Sequence, residues 1–202
     1  MGTEMEWKLA VPGVSLLDEI TEWDSVRLLI AENPRLYHMR SSYYDTTDQY
    51  FSKRRITIRR RMENDTSVIC VKAPLPGAGT YNQHGEWELA SDDVFSALKQ
   101  LVRMGAPEEI LERPDLVSLW GADFQRKAVL LRFPDGSACE LALDHGVLFG
   151  PAASLPLCEM ELEMKEGAPD STLTLLKDLQ VRFSLQIEEK SKLARARALD
   201  NP

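Results

Sequence analysis

The run Glu4-Met5-Glu6-Trp7-Lys8-Leu9 decides how this chain is read. In a β-strand successive side chains point to opposite faces, and every second residue returns to the same face about 6.6 Å further on. Glu4, Glu6 and Lys8 therefore line one face, and Met5, Trp7 and Leu9 line the other. The pattern returns as Glu159-Met160-Glu161-Leu162-Glu163-Met164-Lys165. A charged strand face is ordinarily the wet one, but here charged faces of both signs recur in strand after strand.

Working outward, the same parity puts Arg59 and Arg61 on one face and Lys72 on a face with Val68 and Cys70. It sets Glu86 and Glu88 on either side of Trp87, and it lets Arg126 open a long strand. Glu140 and Asp144 share a face, with Leu141 and Leu143 pointing the other way. Two arrangements satisfy this alternation. In one the apolar faces pack inward and the charges are solvated. In the other the apolar faces lie under amphipathic helices and the charged faces line a polar lumen. Unpaired buried charge is destabilising, so such a lumen makes sense when it holds water, a polyanion and a metal ion.

The spacing predicts a helix over residues 14–32 with a break near 22–24, and others over 91–104, 170–183 and 190–199. Strands are expected over 37–45, 55–62, 67–73, 81–90, 122–133, 137–148 and 157–166, most of them joined by short turns. Pro134-Asp135-Gly136 is one such turn, and residues 74–79 form a Pro/Gly loop. Many antiparallel strands with short connections favour a barrel or a strongly curved sheet with helices outside. The expected class is α+β, with residues 1–202 forming a single domain.

Bulk properties narrow the function classes. The chain has 202 residues and a net charge of −8, which argues against binding a nucleic-acid duplex by overall charge. Against that acidic background, Lys53-Arg54-Arg55 and Arg59-Arg60-Arg61 form a local basic inversion suited to an anion. Three scattered cysteines, Cys70, Cys139 and Cys158, lack zinc spacing and read as reduced thiols, so a cytoplasmic location is expected. No apolar run approaches a membrane span, and no signal-peptide pattern opens the chain. His38, His84 and His145 show no ligand spacing. Glu pairs separated by one residue suit Mg²⁺ or Mn²⁺, hard ions that take oxygen ligands and leave positions for phosphate oxygens. Arg and Lys add bidentate and point-charge contacts to phosphate. The combination points to a metal-bound phosphate chain.

These motifs together resemble the CYTH domain, the triphosphate tunnel metalloenzyme superfamily, over essentially the whole chain. Glu4, Glu6 and Lys8 match its N-terminal Glu-x-Glu-x-Lys, and Tyr43-Tyr44-Asp45-Thr46 its Tyr-Tyr-Asp-Thr segment. Arg59-Arg60-Arg61 matches the Arg-x-Arg strand, Lys72 the lysine that follows, and Glu86-Trp87-Glu88 the Glu-aromatic-Glu of the inorganic triphosphatase branch. Arg126, Asp144, Glu159-x-Glu161 and Ser191-Lys192 match the later motifs. The resemblance implies an antiparallel eight-stranded β-barrel forming a tunnel, with helices packed outside. It also implies action on triphosphates with a divalent metal.

Carried over residue by residue, the resemblance makes Glu4, Glu6, Glu159 and Glu161 the metal ligands. Lys8, Arg59, Arg61, Lys72, Arg126 and Lys192 become substrate cations, with Lys190 competing for the last place and Glu86 and Glu88 beside them. Asp144 and Glu163 are candidates for orienting water, within a catalytic set of Glu4, Glu6, Lys8, Asp144, Glu161 and Glu163. Arg60 stands where the family has an apolar residue and is expected to face outward. The implied substrate is inorganic tripolyphosphate, with ATP and thiamine triphosphate as further candidates. A class IV adenylyl cyclase and a non-catalytic polyphosphate or nucleotide-triphosphate sensor are the alternatives.

Overall fold

The computed structural model describes residues 5–74 and 84–200. Glu4 and the start of the strand expected over 81–90 lie outside the described residues. The strands are β1 (Glu6–Ala10), β2 (Arg35–Asp45), β3 (Thr57–Glu63), β4 (Thr66–Pro74), β5 (His84–Ala90), β6 (Val117–Arg132), β7 (Ala138–Phe149), β8 (Ser154–Glu166) and β9 (Gln186–Ile187). The helices are α1 (Val14–Glu22), α2 (Asp24–Arg27), α3 (Val94–Arg103), α4 (Asp170–Phe183) and α5 (Lys192–Arg197).

The strands form one sheet in the hydrogen-bonded order β5-β4-β3-β2-β6-β7-β8-β1-β9. The pairs β1–β8, β1–β9, β2–β3, β3–β4 and β4–β5 are antiparallel. The expectation of a closed eight-stranded barrel is corrected here: among the described residues the sheet has nine strands and two ends, β5 and β9. The extra strand is only two residues long, too short to leave a periodicity in the sequence. After α4 the chain adds it to the free edge of β1, pairing Leu9 with Ile187 and Ala10 with Gln186.

The chain packs as two compact units. One comprises residues 1–37, 124–147 and 156–191, and the other 38–123, 148–155 and 192–202. In the first, Leu9, Val129, Leu131, Leu141, Leu143, Met160 and Leu162 project from the strands. They pack with Leu17 and Ile20 of α1 and Leu175, Leu176 and Leu179 of α4. In the second, Ile58, Ile69, Val71 and Ala73 pack with Val94, Ala97, Leu98 and Leu101 of α3. Fully burying each of the Leu, Ile, Val and Met side chains among them contributes about 1.5–3 kcal/mol. In each unit the strand face under the helices is predominantly apolar, with Lys127 donating to Thr21 of α1 as a charged exception, and the acidic and basic motif residues lie on the opposite face.

The expected break between the first two helices falls at Trp23, whose extended backbone (φ −65°, ψ 130°) cannot continue a helical turn. Helix α3 begins where Asp93 accepts hydrogen bonds from the Phe95 and Ser96 amides. It stops at Arg103, two residues before Gly105, which takes a left-handed φ of +103°. β6 and β8 start earlier than expected, at Val117 and Ser154. Arg60 lies on the face opposite Arg59 and Arg61, donating from Nε to Ser67 Oγ (3.0 Å) and from Nη2 to Asp92 Oδ1 (3.0 Å). Among the described residues no helix is long and apolar enough to cross a membrane.

Candidate active site

In the first unit the register of β1 against β8 aligns the two opening motifs. Glu6 stands opposite Glu163, Lys8 opposite Glu161 and Ala10 opposite Glu159. Since i and i+2 share a face, these charges form one patch that deepens along β8. Glu163 keeps 29% of its side-chain surface, Glu161 12%, and Glu159 is fully buried. Asp144 of β7, also fully buried, joins the deep end. Carboxylate oxygens of Asp144, Glu159 and Glu161 all lie within 4.8 Å of one another.

Arg126 of β6 reaches into this group. Its Nε and Nη2 donate to the two oxygens of Asp144, both at 2.7 Å, and Nη2 also donates to Glu161 Oε2 at 2.5 Å. Burial disfavours the Arg126 charge, but Asp144 and Glu161 outweigh it and push its pKa up. At the exposed end Lys165 Nζ lies 2.8 Å from Glu163. Glu6 is exposed.

The second unit carries a different chemistry. Tyr43, Arg59, Cys70 and Glu88 form one rung across β2, β3, β4 and β5, with Thr57, Lys72 and Glu86 on the next rung. Lys72 Nζ meets Glu86 Oε2 at 3.0 Å, and Arg59 Nη2 lies 3.8 Å from Glu88 Oε1. The Cys70 thiol donates to Glu86 Oε1 at 3.1 Å. Burial opposes the Glu86 charge, yet Cys70, Lys72 and Arg59 together hold its pKa below the usual range. Burial pushes the Cys70 thiol up to about 12, despite Arg59 beside it. Among the described residues the buried Nε groups of Arg59 and Arg61 find no hydrogen-bond partner. Arg61 Nε lies 3.1 Å from Glu63, but not in line with its N–H. Buried orphan donors are uncommon in folded proteins, and two on one face fit an oxyanion.

Asp45 of the Tyr-Tyr-Asp-Thr segment has a local task. It is fully buried and accepts from the amides of Thr46 (2.8 Å), Phe51 (2.9 Å) and Ser52 (2.9 Å), and from the Ser52 hydroxyl. The motif thus ties the loop after β2 back to the strand that carries Tyr43.

The structure thus collects Lys8, Glu6, Glu159, Glu161, Glu163, Asp144 and Arg126 on one face of the first unit. It collects Arg59, Arg61, Lys72, Glu86 and Glu88 on one face of the second. Lys190 is exposed, whereas Lys192 is half-buried at the start of α5. A short basic helix such as α5, with Arg195 and Arg197 at its end, ordinarily presents a solvated face. In the structure the Arg197 guanidinium lies 4.8 Å from the centre of the Trp120 ring. Burial pulls its pKa down, against Asp45, Asp200 and Tyr43. No signal in a six-residue basic helix distinguishes these two situations. Cys70 was also passed over, although its parity with Lys72 placed it on the charged face.

Among the described residues two groups have the spacing to hold a cation: Asp144, Glu159 and Glu161, and Cys70, Glu86 and Glu88. The first is all oxygen and mostly buried, the donor set that Mg²⁺ or Mn²⁺ takes. The second includes a thiol held protonated and lies beside Lys72 and Arg59, which repel a metal ion.

Among known proteins, an inorganic triphosphatase from Haemophilus influenzae is 24% identical over 193 residues. The match covers 95% of this chain and 53% of that protein, so the chain spans about half the length of this curated relative. A Hippeastrum protein assigned to the adenylyl cyclases, which shows a dominant triphosphatase activity, has a similar structure (TM-score 0.60, 18% identity, 97% of this chain and 96% of that one). The PH1819 protein of Pyrococcus horikoshii is a second (TM-score 0.53, 18% identity, 99% and 100%). At these identities the two structures establish likeness of fold. The CYTH domain matches residues 2–196, and with nearly the whole length covered the chain belongs to the CYTH domain family.

Proposed function

We propose that this protein is a metal-dependent triphosphatase whose preferred substrate is inorganic tripolyphosphate. The observation that carries the reading is the buried, all-oxygen group Asp144, Glu159 and Glu161 within 4.8 Å. These three would hold Mg²⁺ or Mn²⁺, with Glu4 and Glu6 contributing as the family motif implies. When bound, the ion supplies charge neutralisation on phosphate oxygens and a lowered pKa for water. Lys8, Arg59, Arg61, Lys72, Arg126 and Lys192 bind and align the phosphate chain. Phosphoryl transfer depends mainly on such positioning and charge stabilisation. Glu86 holds Lys72 in place, and Glu88 lies beside Arg59. Glu163 and Asp144 are the residues proposed to orient the attacking water. The tunnel implied by the family, with residues 1–202 acting as one functional domain, and a cytoplasmic location belong to the same proposal. The Haemophilus relative's name and the orphaned arginine donors support it.

Phosphate release from tripolyphosphate, ATP and thiamine triphosphate, each with and without Mg²⁺ or Mn²⁺, tests it. Metal-dependent release that is fastest with tripolyphosphate is expected. Cyclic AMP and pyrophosphate from ATP would make the protein a cyclase, and tight tripolyphosphate binding without turnover would make it a sensor.

A further inference from the structure

Arg126 is bonded to two of the three carboxylates assigned to the metal. It engages both oxygens of Asp144 and one of Glu161. Three carboxylates within 4.8 Å repel one another strongly once buried, and Asp144 and Glu159 have no exposed surface. The guanidinium offsets that repulsion when no metal is present. A divalent ion on the same oxygens reverses the sign of its contribution, because guanidinium and metal then repel across a short, poorly screened distance. Arginine cannot relieve this by losing a proton. The remaining response is movement of the side chain.

Resting on the assignment of Asp144, Glu159 and Glu161 to the metal, we propose that Arg126 is the resident counter-cation of this carboxylate group. The divalent ion displaces it, so that metal loading and presentation of the Arg126 guanidinium to the phosphate chain are one coupled event. Arg126 is then a positioning residue in the metal-free protein and a substrate ligand only after metal has bound. A site that merely used Arg126 to hold its carboxylates in place would lose metal affinity when Arg126 is removed. The exchange makes the opposite prediction.

The test is Mn²⁺ binding by the whole protein in the absence of any phosphate, followed by the EPR signal of free Mn²⁺. Arg126→Gln is expected to bind Mn²⁺ at least tenfold more tightly than wild type, and Arg126→Lys, which keeps the charge, to stay within about threefold of it. Equal or weaker binding by a folded Arg126→Gln protein overturns the exchange. Should that variant fail to fold, the wild-type protein decides. The Arg126 Nε–H resonance, identified by its loss in Arg126→Lys, is expected to shift on Mg²⁺ saturation without phosphate, and an unmoved resonance overturns the proposal. Wild-type protein that binds no Mn²⁺, or Glu159→Gln and Glu161→Gln variants that bind it undiminished, would overturn the metal assignment itself and the exchange with it.

Discussion

Lys72 and Glu86 face each other across the β4–β5 ladder, and their charged ends meet at 3.0 Å. With 40% and 33% of their side-chain surfaces exposed, the two groups are well screened. Such a pair contributes about 0–1 kcal/mol to stability, so its role is to hold a lysine in one place. Lys72→Met is therefore expected to leave the melting temperature within about 3 °C of wild type, since ~1 kcal/mol moves it only a few degrees. The same change raises the KM for tripolyphosphate about tenfold or more, as losing a charged hydrogen bond of roughly 1.5–3 kcal/mol requires. Steady-state kinetics beside a thermal melt check both halves, and an unchanged KM would remove Lys72 from the substrate site.

Two carboxylates of the first unit should behave differently for reasons of depth. Asp144 is fully buried against Arg126, so Asp144→Asn leaves that guanidinium with only part of its compensation and costs about 3–5 kcal/mol. Glu6 is exposed at the far end of the same face, and Glu6→Gln should change stability by less than about 0.5 kcal/mol. Glu6→Gln is nonetheless expected to abolish turnover by weakening metal binding. Urea unfolding of both variants, paired with phosphate release, separates the two roles.

The thiols give a pH prediction. Burial raises Cys70 to about 12 and Cys139 to about 11, against an ordinary value of 9.0. A thiol whose folded pKa is raised contributes stability that is fully present below pH 9 and is lost as pH climbs toward 11–12. Native protein at pH 8 should react slowly with a disulfide reagent at both positions, and unfolding in urea should release both at once. Rapid labelling of Cys70 in the native state would mean that Arg59 stabilises its thiolate after all.

Asp45 accepts three backbone amides and the Ser52 hydroxyl from full burial. Asp45→Ala leaves several buried donors unpaired at about 1–3 kcal/mol for the first and less for those that reach water. A loss of roughly 2–4 kcal/mol in urea unfolding is expected. The 46–52 loop should exchange its amide hydrogens faster, while β7 and β8 keep their protection. A local effect of this kind distinguishes loop closure from a direct role on substrate.

Much of this protein was legible in alternation alone. A strand's two-residue period is a local property, so the sequence already sorts Glu6 and Lys8 from Trp7 and Leu9, or Glu161 from Met160 and Leu162, whatever the strands pair with. Helix ends at Asp93 and Gly105 were readable for the same reason, since a cap acts within one turn. The motifs in order likewise carried the family.

Pairing and depth had to come from the tertiary structure. Which carboxylate meets which cation depends on register between strands far apart in the chain, and nothing in the period-two pattern specifies it. Register set Lys8 across from Glu161, and packing buried Glu159 while leaving Glu6 in water. The fold also carried Arg126, read as a phosphate ligand, onto Asp144 and Glu161. The two-residue β9 and the burial of Arg197 against Trp120 belong with these. Each is a long-range consequence of where α4 and α5 return the chain, and long-range contacts leave no trace in local composition.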